Sequence, residues 1–300
     1  MLKLFIISSN YMFFLFAVIA CSSDSPIGND VYQPFVFSKL QLSKKDNKGN
    51  SMWKITSPEA RYELGNRLIR AINVEATIFN QSIPTYNIYA QSANILNDGE
   101  LILLEGGLKI NKINGNDHTL TSARGVWNTA DEHMELDIKP TLLNSEVLIK
   151  SEEVIINHRD KTVLLKGASL VTNNPTTNSK ENTGRFKLLL NNPSWNYDTG
   201  YFKALGPISG VRVLESLDQY QRISGQSIFG NTNKSLLGIR SCKVYQKNEY
   251  IESKRCLWNW NDETLTFSGG AKLRRNSSKL LIDRTKIEAE LTEQGVLEFD

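Results

Sequence analysis

The stretch TLTFSGGAKL, residues 264–273, decides what kind of protein this is. Leu265, Phe267, Ala271 and Leu273 fall on one side of an extended chain, and Thr264, Thr266 and Lys272 fall on the other. A period of two residues marks a β-strand with one face buried and one in water. The only break is Gly269-Gly270, the residue type at which a strand bends through a bulge. The same alternation recurs far away in the chain. In IRAINVEATIF, residues 69–79, it groups Ile72, Val74, Ala76 and Ile78 against Asn73, Glu75 and Thr77. In HMELDIK, residues 133–139, it groups Met134, Leu136 and Ile138 against Glu135 and Asp137, and Gly106-Gly107 predicts a second bulge.

Strands of this kind belong to a repeat of roughly thirty residues. Each unit opens on an apolar-x-small-x-x-small-x-aromatic pattern: Ile55, Ser57, Ala60 and Tyr62, then Leu120, Ser122, Gly125 and Trp127, then Ile251, Ser253, Cys256 and Trp258. Ile88, Ala90, Ala93 and Ile95 form a further copy, and weaker ones start at Ile149, Leu188, Ile223 and Ile282. Polar turns such as LNDG, NHRD and NWND follow, and an alternating second strand completes the unit. No amphipathic helix is expected after residue 21. The predicted fold is all-β, an elongated open β-jelly roll or two-sheet β-sandwich of about eight two-strand repeats, with each sheet gaining a strand per unit. Residues 35–172 and 185–300 are its expected halves, joined by a polar loop or hinge at 173–184.

Several function classes are disfavoured. A formal charge of +3 spread over 300 residues argues against nucleic acid as a partner. His118, His133 and His158 lack paired metal-ligand spacing, so no metal is expected; no phosphate-cradling glycine loop or nucleophile elbow occurs, so neither an enzyme nor a cofactor is predicted. Glu75, Glu135, Asp137 and Lys272 at outward mid-strand positions oppose a membrane-spanning barrel. Five tryptophans read as packing, while keeping a carbohydrate-binding module or cell-envelope scaffold open as the alternative function. The short basic clusters Lys44-Lys45 and Arg274-Arg275 read as solvated turns or as contacts to anionic headgroups.

The N-terminus carries the cellular address. An apolar run from Leu4 to Ala20 follows Lys3, is interrupted by Ser8, Ser9 and Asn10, and ends in FAVIACSSDS at residues 16–25. It has the size of a signal-peptide core. Val18-Ile19-Ala20-Cys21 resembles the lipobox of bacterial lipoproteins, which makes residues 1–20 a cleaved signal peptide, Cys21 the lipidation site and residues 21–34 a tether; an uncleaved helix is the other reading. Setting Cys21 aside leaves Cys242 and Cys256 on strands either side of the turn QKNE, either disulfide-bonded or as two buried thiols.

The segment Asp46-x-x-Gly49-x-x-x-Trp53-x-Ile55-x-Ser57-x-x-Ala60-x-Tyr62 resembles the opening of the LptC family, the membrane-anchored periplasmic component of the lipopolysaccharide export transporter. The repeats behind it look like those shared with LptA, the periplasmic bridge. The resemblance implies a protein at the periplasmic face of the inner membrane that takes lipopolysaccharide from an ABC transporter and passes it to an LptA-like bridge. Docking would use the edge strands FVFSKLQL and GVLEFD. Lipid-contacting candidates are the inward residues Ile72, Val74, Ile78, Met134, Leu136, Ile138, Leu265 and Phe267, each of which core packing explains equally.

Overall fold

The computed structural model describes residues 35–299 except 114–118, 144–146, 174–184, 215–218, 260, 263, 276–279 and 292–296. The signal peptide, Cys21, the tether, His118 and all but the first residue of the 173–184 loop lie outside the described residues. The chain divides into Met1–Tyr32 and Gln33–Asp300, and the following concerns the second unit.

The strands begin with β1 (Phe35–Phe37), β2 (Leu40–Lys45), β3 (Ser51–Ser57) and β4 (Glu59–Glu63). Four long strands follow: β5 (Leu68–Asn80), β6 (Ile83–Leu96), β7 (Leu101–Lys112) and β8 (Thr119–Asn128). Eight short ones come next: β9 (His133–Leu136), β10 (Thr141–Leu143), β11 (Val147–Lys150), β12 (Glu153–Asn157), β13 (Thr162–Lys166), β14 (Ala168–Asn173), β15 (Arg185–Asn191) and β16 (Ser194–Asn196). The chain finishes with β17 (Tyr201–Leu214), β18 (Gln219–Asn231), β19 (Leu236–Gln246), β20 (Glu249–Asn259), β21 (Thr264–Arg275), β22 (Leu280–Leu291) and β23 (Leu297–Phe299). Every pairing among them is antiparallel, in one continuous network.

Between β8 and β17 this network forks. The first arm of β8 pairs with β10, and the ladder runs on through β11, β14 and β15 to the second arm of β17. The second arm of β8 pairs with β9, and from there β12, β13 and β16 lead to the first arm of β17. At the start of the chain β5 is shared in the same way, its second arm pairing with β3 and then β2, its first with β4 and then β1. We call the two routes ladder A and ladder B. Each strand is bent, with one arm in either ladder, and the short strands are simply bent strands whose two arms are separated by an interruption.

The architecture is therefore the expected all-β, two-sheet roll. It differs in one respect: a unit does not add one strand to each sheet but two bent strands, each contributing to both. The ladders face one another, because Trp53 in ladder A meets Trp127 in ladder B with ring centroids 6.0 Å apart. Likewise Gln246, at the end of β19 in ladder A, exchanges two hydrogen bonds with the backbone of Leu297 in β23 of ladder B, at 2.8 and 3.0 Å.

The bends have a physical cause. Gly106-Gly107 and Gly269-Gly270 hold positive φ where the register shifts between Glu105 and Leu108 and between Ser268 and Ala271. Elsewhere a serine pins the corner. Ser57 Oγ lies 2.6 Å from the carbonyl oxygens of both Glu59 and Ile72, and Ser122 Oγ lies 2.9 Å from those of Arg124 and Ile138. Ser151 and Ser253 reach Glu153 and Arg255 in the same i to i+2 manner. This is why the repeat demands a small residue there: a hydroxyl satisfies carbonyls that the bend withdraws from the ladder. At the far end of ladder B an asparagine closes five of the turns, Asn128, Asn157, Asn196, Asn231 and Asn259 each accepting from a backbone N–H two or three residues on.

Buried side chains form two clusters, one spanning Leu40 to Leu165 and the other Leu190 to Leu297. Cys242 and Cys256 are joined as a disulfide with Cα atoms 5.8 Å apart, linking β19 and β20 beside the bend at Ser253. No described helix is long and apolar enough to cross a membrane.

Candidate functional site

Opposite the bends, the two ladders end in turns, and the gap between these turns is the mouth of the roll. In the first half it holds a cavity of about 300 Å3. Ladder A supplies Met52, Trp53, Ile78, Phe79 and Tyr86, and ladder B supplies Trp127, Thr129, His158 and Tyr197. The walls combine five aromatic rings and the His158 imidazole with polar groups, among them Asp46, Asn50, Asn80, Gln81, Glu132 and Lys161. Tyr86 sits 6.1 Å from the His158 ring and 6.4 Å from Tyr197, across the two ladders. At the rim the charges neutralise one another: Lys161 lies 3.0 Å from Asp198 and Arg159 lies 4.0 Å from Glu132.

Two polar atoms in this lining are buried without a partner among the described residues, Trp53 Nε1 and His158 Nε2. An unpaired buried polar group costs roughly 1–3 kcal/mol. Burial, helped by the charge of nearby His133, lowers the His158 pKa to about 4, so the ring is neutral at ordinary pH. Burial likewise raises Tyr86 and Tyr197 above the usual tyrosine range. With Asp46 also in the lining, the site has no net positive charge to attract an anion; it offers ring faces, one indole donor and one imidazole nitrogen. A wider depression of about 610 Å3 also touches Trp53, but its lining of Ser43, Lys44, Arg67, Asn97, Asp98 and Glu100 is polar and offers nothing to an apolar chain.

The eight lining candidates divide into three groups. Val74, Met134, Leu136, Leu265 and Phe267 face inward but are sealed in close-packed core, all five with at most 9% exposure. Ile78 alone lines the cavity. Ile72 and Ile138 point outward, at 43% and 40% exposure, and correct the expectation from alternation. Asn73 takes φ of +49°, so both Ala71 and Val74 turn inward while Ile72 turns out. β9 ends at Leu136, and Lys139 takes φ of +52°, which places Ile138 in the corner; its carbonyl, rather than its side chain, faces Ser122.

His158, Tyr86, Trp53 and Tyr197 were not singled out as a site by sequence, because they come from four different units and meet only once the ladders face each other. His133 bonds to Glu135 at 2.9 Å, and no cluster of His, Cys, Asp or Glu able to hold a metal occurs among the described residues.

Both ladders end in open edges. β1 pairs only with β4 and exposes Phe35, Val36 and Phe37, while β2 pairs only with β3. The expected first edge strand, FVFSKLQL, is thus two edges, one on each ladder. At the other end β23 pairs only with β22.

The two-sheet roll thus combines an apolar interior, a mouth lined in part by aromatic rings, and unpaired end strands. Residues 1–168 match the family described as lipopolysaccharide-assembly, LptC-related; this is more than half of the chain, and the protein belongs to that family. Membership gives it a role in lipopolysaccharide transport and an interaction with that transport system, and associates it with the periplasmic face of the inner membrane. Among solved structures it is similar to LptH of Pseudomonas aeruginosa, described as the LptA-homologous periplasmic component of the lipopolysaccharide transport device. That similarity covers 47% of this chain and 73% of the other at 7% identity, with a TM-score of 0.22. No protein with a curated description matches.

Proposed function

We propose that this protein receives lipopolysaccharide acyl chains between its ladders and passes the glycolipid from an inner-membrane ABC transporter to an LptA-like periplasmic bridge. Lipidation of Cys21 is its anchor, and residues 21–34 are the tether that keeps the first strands near the membrane. The observation that supports this reading most is the cavity at the mouth of the first half, with Ile78 and Phe79 beside four aromatic rings.

Each acyl methylene left in water costs about 0.8 kcal/mol, so a multi-chain lipid needs continuous cover. A cavity of about 300 Å3 is at the small end for ligand sites. The mouth must widen for more than part of one lipid, which the arrangement permits, since the ladders are joined at the bends and not across the cavity. The partnerless nitrogens of Trp53 and His158 suit the polar, ring-bearing end of the glycolipid, as an all-hydrocarbon occupant would leave both unpaired. Handing on uses the open edges: a partner strand pairing with β1 and β2 or with β22 and β23 extends both ladders at once.

The test is photo-crosslinking in living cells. A photoreactive residue at Ile78 or Tyr86 is expected to capture lipopolysaccharide, and one at Ile72 or Ile138 is not. Equal capture at all four positions, or none at Ile78 and Tyr86 in normally accumulating protein, rejects the proposal.

A further inference from the structure

The outward face of ladder A changes character along the chain. In an antiparallel sheet, residues in register stand side by side on one face. Over the first half these rungs are those of an ordinary wet surface: Thr56, Glu75, Tyr89, Lys109 and Thr121 in one, Lys54, Thr77, Asn87, Asn111 and Thr119 in the next. Thr77 bonds to Asn87 at 3.2 Å and Thr119 to Asn111 at 3.0 Å.

Over the second half one rung reads Val211, Arg222, Tyr245, Tyr250 and Arg274, with Lys187 at its start. Exposed Leu189, Val213, Tyr220 and Leu281 flank it. The Arg222 guanidinium lies 4.8 Å over the Tyr220 ring, and the Tyr245 and Tyr250 rings are 4.6 Å apart. The neighbouring rung carries Lys243, Glu252, Lys272 and Asp283, so the two carboxylates stand beside the two lysines. That leaves Lys187, Arg222 and Arg274, none of them ion-paired among the described residues: five basic groups less two acidic ones, a surplus of three. Buried apolar residues on the inner face account for the core, so the outward apolar residues are not needed for folding.

We infer that this face of the second half, β15 and β17 to β22, docks on the surface of an anionic phospholipid bilayer. A polyanion would need only the cations, whereas exposed leucine and valine, the exposed Tyr220 and Tyr245 and the half-buried Tyr250 fit the headgroup boundary, where tyrosine is at home at the edge of apolar and wet regions. Each basic side chain near an anionic membrane contributes about 1 kcal/mol, a factor of about five in partition. The inference does not depend on what the cavity holds.

The test is flotation of the full chain with vesicles of phosphatidylcholine alone and with roughly a third phosphatidylglycerol. The N-terminal segment is common to all samples, so the ratio of binding between the two vesicles reports the charged face. The unaltered chain is expected to favour the anionic vesicles at least tenfold at low salt. Arg222→Glu with Arg274→Glu should lower that ratio tenfold or more while leaving binding to phosphatidylcholine unchanged. Lys54→Glu with Lys109→Glu, an equal change in net charge on the first half, should lower it far less. Equal loss in both double variants, or no preference for anionic vesicles in the unaltered chain, overturns the inference; the latter outcome points to an acidic protein surface instead.

Discussion

The two halves of the roll are built from one repeat and solve the same closure problem differently. Around the first core cluster, the corners are pinned by serine hydroxyls at Ser57, Ser122 and Ser151, and the mouth holds a cavity with two partnerless ring nitrogens. Around the second, a disulfide fastens the corner at Ser253, and Gln246 spans the mouth to the backbone of Leu297. Gln221 in turn holds Gln246. A bend held by neutral hydrogen bonds, each worth about 1 kcal/mol net, yields more easily than one held by a covalent link. The difference teaches that the repeat dictates the strands and leaves their opening to the few residues at corners and mouth.

The comparison breaks first if the cores are not equally tight. Phe267→Ala in the second half and Met134→Ala in the first are expected to cost roughly 3–5 and 2–5 kcal/mol in denaturant unfolding, since both side chains are fully buried. Ile72→Ala and Ile138→Ala should each stay within about 1 kcal/mol. Similar losses at all four positions would restore the plain alternation that the structure corrects.

Reduction sharpens it next. The disulfide closes a sequence separation of 14, so its loss should destabilise the protein by about 3 kcal/mol. Hydrogen exchange is expected to show the loss in β19 to β21 and little change in β5 to β8. Uniform loss along the chain would mean that the halves unfold as one unit.

The last of these expected effects concerns acid. His158 has a folded pKa of about 4 against an unfolded value near 6.5, so between these limits the unfolded chain binds more protons. Stability is therefore lost as pH falls from about 6.5 to 4, by up to about 3 kcal/mol, and no further below that from this group. In His158→Phe, unfolding between pH 7 and 4 should lose that part of its slope, while Cys242→Ala with Cys256→Ala should keep it. An unchanged slope in His158→Phe would show that the ring is wetter than its burial implies.

Much of this was legible in the residues. Alternation with Gly269-Gly270 gave a bent strand with the right inward set, Leu265, Phe267, Ala271 and Leu273, because a glycine pair announces its own bulge. Asn73 makes a corner without glycine, and Asn is one of few residues that tolerate positive φ; the pattern gave no warning, and Ile72 was assigned to the wrong side. The small residue at Ser57, Ser122 and Ser253 was visible, but its hydroxyl's task was not, since a period records size and polarity and not hydrogen bonds. The cavity was illegible for a stronger reason: its walls come from positions as far apart as Trp53 and Tyr197, and no local pattern links them.

Because the bent strands turn a similar corner and contribute to both ladders, the roll repeats the same pairing pattern from one unit to the next. Deleting one pair of bent strands, or inserting another, leaves two edges that still match in register. Each such unit advances the ladders by two strand spacings, roughly 10 Å. The number of units is thus a quantity that evolution can change in whole steps without redesigning the interior, and a family with this construction can tailor its reach to the distance a lipid has to travel.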